Sequence, residues 1–434
     1  MKFEVIKTYV LVILVGLSLI LSYSIWNYQP NYELLSDTDY LDEIDIGGKE
    51  QSKKDVIKPT SIIFKNAGQY YGFTNPTADH SLFKDMQSWM MYNFQTSEIN
   101  HKQNHDYEVE IIFPDALPME ILPDLFTLPE EVELPSWSFQ RLYVTFDTKQ
   151  AVLNVQFISM DGRYQATALI NDTSKYDLLW KHVTNQNELS EYIVFNEQHT
   201  PIYLPKDEIK MIQRSFTTES IDSNKLVNAL FSNPSSVRAN ISGAEEAYYT
   251  DGQRQMRVYS NRKIMEFVNP YETAYDPMDA VDLLTRSTMN LNEYKGWTND
   301  FYLDSVDTTM NKICFRMNYE NIPVYNQNHG TVIEQEWRNQ ELFKYIRPLF
   351  MIKDSLGSNE ITLESGMDVM RFLENSPNYE LENIEDVQMG YQLSFQDNSL
   401  NVVTLKPAWF VKYMNTWQEI NMEDPVHDDE KGVS

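Results

Sequence analysis

The sequence predicts an α+β protein in which one N-terminal transmembrane helix carries an exported region of three domains. Three observations predict it. The first is Tyr9 to Trp26, YVLVILVGLSLILSYSIW, inside a stretch from Thr8 to Tyr32 without Asp, Glu, Lys or Arg. About 18 such residues, rising roughly 1.5 Å each, cover about 27 Å of hydrocarbon. The second is that amphipathic helix patterns are interspersed among more numerous strand patterns along the rest of the chain. The third is an internal likeness between residues 258–270 and 336–348, at an offset of 78 residues.

Lys2, Lys7 and the terminal amine precede the apolar run, and the first charges after it are Glu33, Asp37, Asp39, Asp42 and Glu43. The bias of Lys and Arg puts residues 1–7 in the cytoplasm and the bulk of the chain outside the cell. A cleaved signal peptide is the competing reading, with Ser22-Tyr23-Ser24 as a loose cleavage site. The run exceeds a usual signal core, and Trp26 and Tyr28 lie where an aromatic belt anchors a retained helix, here residues 8–28. A lipoprotein anchor needs a cysteine just after the run, and Cys314 is the only cysteine.

With 434 residues, 42% hydrophobic and 13% aromatic, the exported part can bury real cores. A formal charge of −29 repels nucleic-acid phosphates, so nucleic acid is excluded as a partner. One cysteine forms no internal disulfide, so the domains hold together by packing, and Cys314 reads as a small core residue.

Residues 29–55 hold acidic and small residues with little periodicity, which predicts an extended, mobile acidic spacer. An N-terminal α+β domain then spans 56–199. In it Leu82, Met86, Trp89, Met90 and Phe94 recur at helical spacing behind Asp79, predicting a capped helix from Asp79 to Phe94. Strand patterns cover Ser61–Lys65, Tyr107–Phe113, Gln140–Phe146 and Ala151–Ser159, the last two joined by a turn at Asp147-Thr148-Lys149-Gln150. Five prolines from Pro114 to Pro135 break the chain between them.

The central module, 200–330, opens with a helix at Ser223–Phe231 and a strand near Val237–Ile241. Its segment from Val258 to Pro270 aligns with Glu336 to Pro348, where aromatic, Asn, aliphatic and Pro positions coincide. A helix follows each copy, one behind Asp276-Pro277 and one behind the capping box of Ser365 and Asp368. Extended segments come after both: Phe301–Asp307, Ile313–Tyr319 and Pro323–Tyr325; then Tyr379–Ile384, Met389–Phe395 and Val402–Phe410, with a turn at Gln396-Asp397-Asn398-Ser399. Two similar β-β-α-β-β modules, 200–330 and 331–420, follow from this, with 421–434 a polar tail.

No catalytic, cofactor or metal motif emerges. His101, His105 and Asp106 come nearest to a metal site, but their segment is strongly polar and lacks the HExxH glutamate. Asp37 to Asp45 lacks the Asx and Gly spacing of an EF-hand. A partner interface within the membrane is a different kind of signal: Leu11, Val15, Ser18 and Ser22 share one helix face, and small residues there let another helix approach closely.

Several stretches spread along the chain carry a family resemblance: Ser24 to Glu33, Ile46-Gly47-Gly48, Val56-Ile57-Lys58-Pro59, Val258 to Arg262 and Leu405 to Phe410. On these the chain resembles the YycH family, membrane-anchored accessory proteins of the YycG–YycF (WalK–WalR) cell-wall two-component system. The resemblance implies an extracytoplasmic three-domain protein, not an enzyme, whose last two domains are similar to one another and to the companion protein YycI. It implies action with YycI on the sensor kinase YycG (WalK), through contacts that include the transmembrane helices. Readings from other classes are an anchored cell-wall hydrolase, which calls for converging carboxylates or a metal trio, and a wall-polymer binding module, which calls for an aromatic-lined groove.

Overall fold

The computed structural model describes residues 7, 11, 14–19, 33–34, 44–75, 77–99, 105–129, 132–195, 200–242, 246–270, 275–396 and 399–422. Residues 7, 11 and 14–19 are helical, and among the described residues no helix is long and apolar enough to cross a membrane. Most of the expected anchor, 8–28, lies outside the described residues, as do Asp37, Asp39 and His101.

In chain order the first half contains β1 (Glu33–Leu34), α1 (Lys53–Val56), β2 (Ser61–Asn66), β3 (Gln69–Phe73), α2 (Thr77–Met86), β4 (Tyr92–Glu98) and β5 (Tyr107–Pro118). It continues with α3 (Leu122–Leu125), β6 (Ser138–Asp147), β7 (Val152–Ser159), β8 (Tyr164–Ile170), α4 (Thr173–Thr184), β9 (Leu189–Phe195) and β10 (Ile202–Pro205). Nine of these strands form one sheet in the order β10-β9-β3-β2-β5-β6-β7-β8-β4. The period of two decides its faces: along β7 Leu153, Val155 and Phe157 are fully buried while Asn154 and Gln156 are not. The β6–β7 turn forms as expected, because Asp147 Oδ1 accepts the N–H groups of Lys149 and Gln150 at 2.9 and 3.2 Å.

Two expectations for this half are corrected. The helix runs over Thr77–Met86, not Asp79–Phe94: Asn75 Oδ1 accepts the Thr77 N–H at its start, and Asp79 instead accepts the Ile62 N–H at 2.8 Å. Beyond residue 91 the apolar spacing is spent on a strand, β4, which pairs with β8, so Trp89 is core but Phe94 belongs to a sheet. The sheet also takes in Ile202–Pro205, past a boundary at 199, because Tyr203 donates to Glu110 Oε2 at 2.6 Å and Arg141 bridges Glu110 and the Pro201 carbonyl. Burial of two charges this deep is tolerated because both are paired and hydrogen-bonded.

The second half contains β11 (Ile209–Ser220), α5 (Ser223–Leu230), β12 (Arg238–Ser242), β13 (Glu246–Thr250), β14 (Gln255–Tyr259), β15 (Ile264–Val268), α6 (Ala280–Asn292), β16 (Asp300–Asp307), β17 (Lys312–Tyr319) and β18 (Ile322–Tyr325). Then come β19 (Val332–Arg338), β20 (Glu341–Pro348), β21 (Phe350–Leu363), α7 (Gly366–Asn375), β22 (Ile384–Gln396), β23 (Ser399–Tyr413) and β24 (Thr416–Glu419). A fifteen-stranded sheet runs β1-β12-β13-β14-β15-β20-β19-β17-β18-β22-β23-β11-β21, with β16 on β17 and β24 on β23.

The hairpins β14–β15 and β19–β20 do correspond, but the β-β-α-β-β modules do not form. Strand edges must pair, and β19 pairs with β17 while β20 pairs with β15, so the second hairpin completes the sheet of the first region. The repeating unit is a helix followed by four antiparallel strands: α5 with β12 to β15, and α6 with β16, β17, β19 and β20. These units meet edge to edge at their last strands, and Phe267 and Tyr345, the positions matched at an offset of 78, lie directly opposite one another. That pairing is the geometry of a local two-fold axis through the β15–β20 seam.

Two local expectations also change. The cap of α6 is Asp279, whose side chain accepts the Asp282 N–H, rather than Asp276, whose carbonyl accepts from Asn311 Nδ2. Half of the segment Tyr379–Ile384 is a 3-10 turn, Leu381–Asn383, and only Ile384 belongs to a strand. Ser365 caps α7 as the capping box predicts. Cys314 is buried in β17, and burial pushes its thiol up, as suits a core residue.

Candidate functional site

The expected spacer is not free over its second part, because residues 44–52 lie as a strap across the second unit. Ile46 is only 3% exposed, and its N–H donates to the Tyr294 carbonyl at 3.2 Å while Lys49 N–H donates to the Trp297 carbonyl at 3.2 Å. Asn292, the last residue of α6, clamps the strap with both ends of its amide: Oδ1 accepts the Gln51 N–H at 3.0 Å and Nδ2 donates to the Gln51 carbonyl at 2.9 Å. Trp297 Nε1 donates to the same Oδ1 at 2.8 Å and fixes its orientation.

Glycine is required at one point of this contact. A Cβ on Gly48 would lie 2.4 Å from the Lys295 carbonyl oxygen and 2.6 Å from the Trp297 backbone, so only a residue without a side chain lets the two chains close. Asp45 ties the strap to both helix-strand units: Lys295 Nζ reaches its carboxylate at 3.1 Å, and Lys225 of α5 donates to its carbonyl at 2.7 Å. The Gly47 N–H, then Lys295, hold the Asp45 carboxyl below its usual range. The strap then enters α1 through the Ser52–Asp55 capping box, and Lys53 pairs with Asp124 of α3 at 2.6 Å. Upstream, Glu33 and Leu34 pair with Ala239 and Arg238 at the outer edge of β12. The described parts of this stretch therefore touch both units, and α1 joins them to α3 of the N-terminal half.

The two halves also meet directly. Asp115 of β5 accepts the Val306 N–H of β16 at 2.8 Å, burial pushes its carboxyl up, and His80 of α2 sits edge-on to Tyr302 at 5.3 Å.

A cleft of about 240 Å³ opens at the two-fold seam, between the end of α5, the end of α6 and the two hairpins. Phe231, Phe267 and Trp337 form its apolar wall, and Asn269, Asn290 and Gln340 offer amides. Asn290 and Asn292 belong to the same last turn of α6, so one helix end serves cleft and strap.

Of the residues singled out by sequence, Leu11 and Val15 are 61% and 52% exposed and Ser18 is exposed on the helical segment, whereas Ser22 lies outside the described residues. His105 is half-buried, its ring pushed down by burial, and no three His, Cys, Asp or Glu side chains among the described residues could hold a metal ion. Sequence reasoning missed the strap; Ile44, Ile46 and Gly47-Gly48 were its available signal.

The first half of the chain, residues 4–188, matches a family model described as the YycH protein N-terminal domain, and residues 199–426 match the C-terminal domain of the same protein. The two-component system WalR/WalK regulatory protein YycH of Bacillus subtilis (strain 168) is 22% identical over 438 residues, covering 95% of each chain. The crystal structure of YycH from Bacillus subtilis shares the fold, with a TM-score of 0.73 at 20% identity over 87% of this chain and 99% of that one. On these matches, which run nearly the length of the sequence, the chain belongs to the YycH family.

Proposed function

We propose that this chain is a membrane-anchored, extracytoplasmic regulator of the sensor histidine kinase of a WalR/WalK-type two-component system, working with a YycI-type partner. The observation that carries the reading is the match along 95% of both chains to a relative named as a WalR/WalK regulatory protein. The anchor is the apolar run Tyr9 to Trp26, with the N-terminus in the cytoplasm.

The strap supplies a mechanism. A kinase with two packings of its membrane helices is shifted only by a ligand that binds them with different affinity. The N-terminal helix is such a ligand, with Leu11, Val15, Ser18 and Ser22 as its contact face. Because residues 44–52 are hydrogen-bonded to α6, a partner that moves the exported body also moves the chain leading to that helix.

Affinity purification of the full-length protein from detergent-solubilised membranes tests the reading, with the kinase and the YycI-type protein followed by immunoblot. Recovery of both, with a changed regulon reporter on deletion, is the expected result. Recovery of neither, with an unchanged reporter, overturns it.

A further inference from the structure

We infer that the cleft at the two-fold seam binds a small neutral sugar bearing hydroxyl and acetamido groups, of the size of one N-acetylhexosamine. The volume, about 240 Å³, is below the roughly 300–1,000 Å³ of pockets for drug-sized ligands and suits a single ring.

The chemistry follows from groups left unspent. Asn269 is 6% exposed and lines the cleft, yet its side chain makes no hydrogen bond among the described residues. Its amide atoms are not sealed from solvent, so the group faces the cleft and stays open to a ligand. The corresponding position of the second unit, 78 residues on, is Arg347, whose three guanidinium nitrogens each donate to a protein group: Thr298, Tyr345 and the Pro348 carbonyl. One side of the seam is filled by its own chain and the other is open.

Two more amides add to the open side. Asn290 Oδ1 accepts from Gln335 Nε2 at 2.8 Å, which leaves the Asn290 Nδ2 group for the cleft, and the buried Gln335 Oε1 behind it has no partner. Gln340 Oε1 accepts from Arg286, leaving its own Nε2 group. Neutral amides both donate and accept, the complement of hydroxyl and acetamido groups rather than of a fixed charge. Arg254 and Glu341 line the same cleft and offset one another in charge, while the Phe231, Phe267 and Trp337 wall suits the apolar face of a ring.

This inference rests on the geometry and not on the regulatory reading, so either can fail alone. Saturation-transfer NMR on the detergent-solubilised full-length protein tests it, with N-acetylglucosamine as the probe and glycine and inorganic phosphate as separate arms. The expected result is transfer to the sugar alone, weakened about tenfold in affinity by Asn269→Ala and less by the exposed Gln340→Ala. Thermal melting of both variants keeps a folding defect distinct, and Gln340→Ala carries the test if Asn269→Ala misfolds. No transfer to the sugar, transfer unaffected by either folded variant, or binding of glycine or phosphate in its place overturns the assignment.

Discussion

The first helix-strand unit, α5 with β12 to β15, and the second, α6 with β16, β17, β19 and β20, share a plan and carry different loads. On the seam the first places Phe267, which packs edge-on against Phe231 at 5.6 Å and does only apolar work. Opposite it the second places Tyr345, whose hydroxyl accepts from Tyr294 at 2.9 Å and from Arg347 at 3.2 Å. The outer edge of the first unit is covered by two residues, Glu33 and Leu34, whereas the second takes the strap and the Asp115 contact from the N-terminal half. A repeated plan supplies the scaffold, and single contacts, Asn292 in the second copy and Gly48 in the strap, decide which copy holds the strap.

The largest effect on this contrast comes from truncating the apolar seam residue. Phe267→Ala should lower the unfolding free energy by about 3–5 kcal/mol, read by denaturant titration, because a fully packed ring leaves a cavity. Asn292→Ala should cost about 3 kcal/mol, from three lost hydrogen bonds of about 1 kcal/mol each. Its signature is regional: hydrogen exchange should speed at Ile46, Lys49 and Gln51 and stay unchanged in β12 to β14. Equal loss of protection in both units would mean that the strap is part of one cooperative core.

Tyr345→Phe should cost about 2 kcal/mol, since the buried Arg347 loses one of its acceptors. A neutral result there would show that the polar seam is no more constrained than its apolar twin.

Two carboxylates are told apart by pH. Asp45 and Asp79 both accept a backbone N–H, but Asp45 is half-exposed and held below its usual range, while burial pushes Asp79 up to about 7. A lowered folded pKa gives stabilisation present above the unfolded value of 3.8 and lost as pH falls through the folded one, so Asp45→Asn should loosen the strap slightly at neutral pH and not in strong acid. A raised folded pKa gives the reverse: the Asp79 contribution is complete below 3.8 and lost as pH rises toward about 7. Asp79→Asn should therefore stabilise the protein at pH values above about 7 and do little below about 4. Parallel pH profiles for the two variants would contradict the assigned burial.

Local patterns were legible in the sequence wherever a period or a cap determined them. The β14–β15 and β19–β20 hairpins, the Ser365 cap and the Asp147 turn follow from residues within a few positions of one another. Which hairpin joins which sheet did not, because the β15–β20 and β17–β19 pairings are set by edges distant in sequence. For the same reason α6 was attached to the strands before it, although its unit comprises the strands after it. Strand β11 was missed because its polar residues hide the alternation, and its place is set by pairing with β21 and β23 at its two edges. The strap was illegible for a different reason: Asp45, Lys49 and Glu50 read as solvated, and only Asn292 and Trp297, far along the chain, give them a surface. The cleft likewise joins residues of both units.

The central claim of the proposed function is that the strap links the folded body to the chain that follows the apolar run Tyr9 to Trp26. The most direct measurement is the output of a kinase-dependent reporter in cells carrying Gly48→Val at wild-type protein level, with strap protection checked by hydrogen exchange. A Cβ at residue 48 would meet backbone at 2.4 Å, so the strap should undock and regulation should fall to the level of the deletion strain, with the body folded. Full regulation by a protein whose strap is shown to be undocked would contradict the account.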